Sequence, residues 1–265
     1  MNKSFIFFLG GADAEMVNIE KRLAEAGAIF QTKGLGWGAH ASAYAEEIAQ
    51  AVAEGKIIVL VELDNSSAPK TDWSAEKVAV LLPEGTIVVD HHGERASEPA
   101  SILQVLNLLG VEPDRWDLLV AANDAGFIPA MLAMGATPEE VANVRLADRT
   151  AQGITPEMEA EAERAISQAK TSGRLTVVHM AHSKTATVTD RLHKGAGGPG
   201  YDQLLIVSGD GEKNFFGDGK ICQTLKEKFE GWNGGSGLGE EGGNAFWGGY
   251  PDATLLENFI LEQLG

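Results

Sequence analysis

A single cysteine, Cys222, stands in 265 residues. An intrachain disulfide framework and a cysteine-built zinc site are both excluded, and the chain suits a reducing cytoplasm. Positive charge is scarce as well: 21 Lys plus Arg against 38 Asp plus Glu leave a formal net charge of −17. A surface of that sign repels a long phosphate backbone, so no long nucleic acid is expected as a partner. A small anionic substrate remains compatible, because a bound cation can supply the positive charge locally. Long apolar runs are missing too. The first, Phe5–Leu9, stops at Gly10-Gly11, too short for the core of a signal peptide, and no segment has the length of a membrane span. What is abundant is hydrophobic residue, at 44% of the chain, enough for a sizeable core.

Apolar runs bounded by turn residues alternate with helical patterns. SFIFFLGG, AIFQTKG, KIIVLVELD and GTIVVDHH read as strands. Between and after them, DAEMVNIEKRLAEAG, SAYAEEIAQAVAEG, WSAEKVAVLL, PASILQVLNLLG and DRWDLLVAANDAG read as helices. Alternation of this kind, with strands apolar on both faces, predicts a parallel α/β sheet covered by helices on both sides. Thr137 and Thr155 each precede Pro, an N-cap followed by the first helical position. The helix after Thr155 is charged nearly all round, as a solvated connector would be. Past Gly173 the chain returns to strand-like segments, LTVVHMAH and YDQLLIVSGDGEKNFFG, and ends in a glycine-rich stretch and a helix. The expected division is a first domain over 1–150, a helical linker over 151–172 and a smaller α/β domain over 173–265.

In open parallel sheets, ligands bind beyond the carboxyl ends of the strands. Here those ends carry acids and imidazoles. Asp13 and Glu15 follow the first strand, Glu62 and Asp64 end the third, Asp90, His91 and His92 end the fourth, and Asp124 follows the apolar run LLVAAN. Alternation along the third strand does not decide between Glu62 and Asp64. Carboxylates gathered at one edge raise one another's pKa values, and divalent cations relieve the repulsion. Mixed carboxylate and imidazole ligands without thiolate suit Mn²⁺, with Mg²⁺, Fe²⁺, Co²⁺ or Zn²⁺ open.

The segments GADAE, LVELD, VVDHH and AANDAG, in this order, resemble the four motifs of the DHH phosphoesterase superfamily, a group of metal-dependent nucleases, phosphodiesterases and pyrophosphatases. The resemblance spans most of the chain. GGSGLGEEGGNAFWGG is similar to the substrate-gripping end of the small C-terminal domain of that superfamily, the DHHA1 domain. The resemblance implies a site for two divalent cations, Mn²⁺ first and Mg²⁺ or Co²⁺ next. Its implied ligands are Asp13, Glu15, Asp64, His91 and Asp124. Asp90 would ligate or orient a histidine, and His92 would face the substrate as a proton donor. Two positions depart from the pattern. Leu9 stands where the family has a histidine four residues before the first acid, and Glu15 stands where it has Asp. His40 is a candidate replacement without support from spacing.

In the C-terminal part, Gly242 and Gly243 would bring backbone N–H groups to an anion, and Asn244 stands where the family has His. Phe246 and Trp247 would stack on a base or pack the domain. Ser183, Lys184, Thr187 and Arg191 are candidate phosphate or ribose contacts; Arg145 and Arg149 either reach the cleft or, the favoured reading, form a solvated helix face, and Cys222 reads as a small core residue. The expected activity is metal-dependent hydrolysis of a small phosphorylated substrate such as a nucleotide, dinucleotide or short oligonucleotide. The alternative is a nucleotide-binding or regulatory module that keeps the fold without turnover. No pattern speaks to oligomeric state, and a homodimer is carried as an expectation.

Overall fold

The computed structural model describes residues 4–36, 38–67 and 77–265. The chain divides into two compact units, Met1–Gly153 and Ile154–Gly265.

The first unit is built on four strands, β1 (Phe5–Leu9), β2 (Ile29–Gln31), β3 (Ile57–Val61) and β4 (Ile87–Val89). They pair in the order β2-β1-β3-β4, every pair parallel. Both faces are buried because the strand period of two sends apolar side chains each way. Phe7 and Leu9 face one way with Val59 and Val61, and there meet α1 (Ala14–Glu25) and α3 (Ser101–Leu109) through Met16, Ile19, Leu23, Ile102 and Val105. Ile6, Phe8, Ile58 and Leu60 face the other way, onto Tyr44, Ile48 and Ala51 of the segment containing α2 (Ala45–Ala53). The Tyr44 hydroxyl donates to the Leu9 carbonyl at 2.7 Å, so the buried phenol is satisfied. Leu9, at the family's histidine position, is a wholly buried core residue.

Two helices complete the unit. α4 (Arg115–Ala133) breaks at Gly126 and Phe127, where Phe127 has φ 57°, and it carries Pro129 beyond the break. α5 (Pro138–Ala151) starts at the Thr137 cap, whose hydroxyl accepts from Glu140 N. The helix expected over WSAEKVAVLL is not formed in its described part. Its residues 73–76 lie outside the described residues, and residues 77–82 contain no helix. There, the Val80 N–H and carbonyl are held by the Asn65 side chain at 2.8 and 3.0 Å.

The second unit starts with α6 (Pro156–Ser167), capped by Thr155. This helix is not the solvated connector its charge suggests. Ala162 and Ala165 are buried against Val178 and Met180 of β6 (Leu175–Met180), so α6 belongs to the second core and the expected linker over 151–172 is divided between the units. The sheet is mixed. β5 (Lys170–Ser172), β6, β7 (Gln203–Ser208), β8 (Lys213–Asp218), β9 (Trp232–Gly234) and β10 (Asn244–Gly249) pair in the order β5-β6-β7-β8-β10-β9, with only β6 and β7 parallel. Its other face packs on α8 (Gly219–Phe229) and α9 (Ala253–Leu264). Trp247 is fully buried there, its indole N–H donating to the Glu230 carbonyl at 2.8 Å, and so packs the domain rather than stacking on a ligand. Cys222 is buried in the same core, and burial pushes its thiol up to about 12.

Candidate metal centre

The parallel strands of the first unit end together, and the residues just beyond them converge. Among the described residues, Glu62, His91, His92 and Asp124 each bring a ligand atom within 4.8 Å of the others. Each arrives for a local reason. His91 and His92 leave β4, and the backbone of Asp90 is held by the Gln104 amide of α3 at 3.0 Å. Asp124 comes from α4, two residues before its break at Gly126 and Phe127. Glu62 follows β3 with φ 51°, a left-handed conformation uncommon for any residue with a side chain. Gly10 makes room for that turn: a Cβ there would stand 2.4 Å from the Glu62 carbonyl oxygen.

Four buried polar atoms meet here and face one another without a well-formed hydrogen bond: Glu15 Oε2, Glu62 Oε1, His91 Nε2 and Asp124 Oδ2. His91 Nε2 lies against Asp124 Oδ2 and 3.6 Å from both Glu15 Oε2 and Glu62 Oε1. Buried polar atoms are normally paired, and several orphaned atoms aimed at one point form the donor set a cation completes. The chemistry of the set, carboxylates and imidazole without thiolate, fits a divalent ion of the Mn²⁺ or Mg²⁺ kind. The electrostatics agree. Burial, then the Glu15 carboxylate, pushes Glu62 up to about 9. Asp124, then Glu15, pushes the His91 imidazole up to about 10. Burial, with Asp124, Glu15 and Asp148 nearby, takes Asp13 up to about 6 against the opposing Met16 N–H.

A cavity of about 260 Å³ opens above this point, and Asp13, Glu62, Asp64, Asp90, His92 and Asp124 are in its wall. Asp13 also caps α1, accepting from Met16 N at 2.8 Å. Glu15 is 1% exposed and spends its Oε1 on the Ile102 N–H at 2.9 Å, which leaves Oε2 for the cluster. Asp90 Oδ1 accepts from His92 N at 2.8 Å and sits 3.1 Å from His92 Nδ1. A carboxylate accepts, so it holds the proton of His92 on Nδ1 and leaves Nε2 facing Asp124, 3.9 Å away.

Asp64 is the sequence-predicted ligand that the structure leaves out of the four-residue group. Beyond Glu62 the chain turns aside, and Asp64 bridges to the segment at His40, its N–H on Ala39 O and its carbonyl on Ala41 N. Burial opposes the charge of the Asp64 carboxylate. The Ser66 N–H and hydroxyl, both at 2.8 Å, and Lys77 at 3.6 Å outweigh it and hold the group below the usual range. Glu62, undecided against Asp64 in the sequence, takes the place in the cluster. His40 is no substitute for the missing histidine: Nδ1 accepts from Ser42 N at 3.1 Å and Nε2 contacts Ser66 O at 2.9 Å.

Arg145 and Arg149, for which the sequence favours a solvated face over a place in the cleft, are buried. The signal was present: Val141, Val144, Arg145 and Asp148 follow the i, i+3, i+4, i+7 spacing of a buried stripe, with two charges inside it.

Gly242, Gly243 and Arg191 are engaged within their own unit. Gly242 N donates to Asp218 Oδ2 at 2.6 Å and Gly243 N to Glu240 O at 3.1 Å, so these N–H groups are not turned to an anion. Arg191 ties α7 (Ala186–Leu192) to α6 through Glu159 and through Glu163 at 3.2 Å. Lys184 is exposed, and Asn244 is the first residue of β10. A Cβ on Gly243 would meet Gly237 O at 2.3 Å, and Gly243 O accepts from Gly219 N at 2.8 Å. Gly243→Val is therefore expected to open the glycine-rich loop, raising its proteolysis and amide exchange while Mn²⁺ uptake stays at the wild-type level. A variant with wild-type protection there would show that the loop does not need this close approach.

The chain matches no protein-family model and no curated protein. Solved structures do resemble it. The pGpG-specific phosphodiesterase PggH from Vibrio cholerae is 12% identical over 98% of each chain, with a TM-score of 0.46. An uncharacterized protein from Helicobacter pylori is 13% identical over 98% of each chain, with a TM-score of 0.29. RecJ from Thermus thermophilus, in complex with Mg²⁺, is 12% identical over 97% of this chain and 48% of its own, with a TM-score of 0.38. At these TM-scores the likenesses carry no argument about this chain.

Proposed function

We propose that the first unit is a divalent-metal-dependent phosphohydrolase acting on a small phosphorylated substrate. The observation that carries this reading is the meeting of four buried atoms without a well-formed hydrogen bond, from Glu15, Glu62, His91 and Asp124, under an acid-lined cavity at the carboxyl edge of a parallel sheet. The four DHH-like motifs of the sequence supply the reaction class.

His91, Asp124 and Glu62, with Glu15 beside them, would hold one cation. Asp13, Asp64 and Asp90 line the same cavity without forming a second ligand group of that kind among the described residues. Bound divalent cations lower the pKa of a water and neutralise charge on a phosphoryl group. The remaining work falls to this chain's side chains. Asp90 keeps His92 in one tautomer and one orientation. A protonated His92, about half exposed, then places a proton at Nε2 for the leaving oxygen. The buried acids below keep their places through the Ile102 and Met16 N–H groups.

A panel of mononucleotides, dinucleotides, short oligonucleotides and sugar phosphates, assayed with Mn²⁺, Mg²⁺ and Co²⁺, tests the reading. Turnover of at least one class, abolished by a chelator and restored by the ion, is expected. The competing reading, a nucleotide-binding module without turnover, draws support from Leu9 lying in the core where the resembled family has a metal-binding histidine. Tight nucleotide binding with no metal uptake and no turnover would establish it instead.

A further inference from the structure

We propose that Arg145 and Asp148 are positioning residues for the metal centre, one buried ion pair that holds both of its flanking helices in place. The inference rests on the metal-centre reading above. The pair closes at 2.8 Å, Arg145 Nη1 to Asp148 Oδ2, and both residues are 6% exposed. From it, contacts run to two walls of the site. Asp148 Oδ1 accepts from Ala14 N at 3.2 Å, and Ala14 is the residue between Asp13 and Glu15. Arg145 Nη1 donates to Asn123 Oδ1 at 3.0 Å, and Asn123 precedes Asp124. The guanidinium also lies 4.3 Å over the ring of Phe127, at the break that follows Asp124 in α4. Gln152 Nε2 completes Asp148 at 3.0 Å.

A buried ion pair is a poor stabilising device, since the cost of desolvating two charges offsets their attraction. Its geometric yield is larger. A planar guanidinium donates in fixed directions and stacks on a ring at once, which an ammonium does not reproduce. Here those directions couple the start of α1 to the middle of α4. Groups outside the ligand shell that orient ligands in this way commonly hold a roughly 10- to 100-fold share of metal affinity.

A comparable pair in the same unit supplies the control. Arg22 Nη2 and Asp117 Oδ2 meet at 2.6 Å, Asp117 is 1% exposed, and the pair joins the same two helices at the ends away from the site. Mn²⁺ binding is measured by calorimetric titration beside a thermal melt for each variant. Arg145→Lys is expected to bind Mn²⁺ roughly 10- to 100-fold more weakly, and Arg22→Lys to melt earlier with wild-type Mn²⁺ affinity. Asp148→Asn, which keeps an acceptor for Ala14 N, and Asn123→Ala are expected to weaken Mn²⁺ binding also, and they decide the matter if Arg145→Lys does not fold. Wild-type Mn²⁺ affinity in the folded variants, or an equal loss in Arg22→Lys, overturns the inference alone. A wild-type protein that takes up no Mn²⁺ overturns the metal-centre reading and the inference with it.

Discussion

His91→Ala is expected to lose metal uptake and hydrolysis together, with the rate falling by at least roughly 10²- to 10³-fold, the loss seen when one electrostatic stabiliser is deleted. His91 Nε2 is placed against Asp124 and lies 3.6 Å from both Glu15 and Glu62. Without it, three carboxylates face one another and a cation held there would lose the His91 nitrogen. His92→Ala makes the contrast. His92 is the more exposed ring, tilted against His91 with centroids 4.3 Å apart, and its Nδ1 is committed to Asp90. Its loss should leave much of the Mn²⁺ binding in place while turnover falls. Metal content by elemental analysis and initial rates on the same preparations separate the two roles. An active, metal-loaded His91→Ala protein would contradict the site.

The metal-free protein should become less stable as pH rises from about 6.5 to 9, and added Mn²⁺ should stabilise it most at the alkaline end. Glu62 has a folded value of about 9 against an ordinary 4.5, and His91 about 10 against 6.5. Between each pair of values the folded chain keeps a proton that the unfolded chain has released. Folding therefore takes up protons in this window, and stability falls with rising pH, by about 1.4 kcal/mol per unit for each group fully inside it. Asp13, at about 6 against 3.8, acts with the same sign at lower pH. A divalent cation displaces these protons, so its affinity rises with pH. Each kcal/mol corresponds to roughly 2–4 °C in the melting temperature of a chain somewhat below this size. Melts at pH 6 and pH 8.5, with and without Mn²⁺, check the prediction. A Mn²⁺ shift that is equal at both pH values, or larger at pH 6, would contradict the protonated cluster.

Much of the site can be read from the order of residues. A strand that ends in Asp90-His91-His92 places ionisable groups at the edge of a parallel sheet, and the helix start after Asp13 follows from an acid at an N-cap. The caps at Thr137 and Thr155 are equally local, because hydroxyl, proline and first turn are neighbours in the chain. Strand alternation and helix period were enough for the two-faced burial of β1 and β3.

Other features depended on groups far apart in sequence. Glu62 and Asp64 are two residues apart, and a regular strand would send both to the same side. The left-handed turn at Glu62, allowed by the missing Cβ of Gly10, separates them and delivers Glu62 to the cluster. Arg145 and Asp148 carry charge on a helix, which by itself suggests solvent, yet their partners Ala14 and Asn123 draw them inside. Gly242 has the freedom to cradle an anion, but Asp218, distant along the chain, already occupies its N–H. Outside residues 77–82, where the expected helix is not formed, local sequence thus determined most elements of the first unit, their caps and the edge at which acids gather. Which acid, which arginine and which N–H serve the site was decided by tertiary contacts, because a buried charge or donor takes its role from the partner that satisfies it.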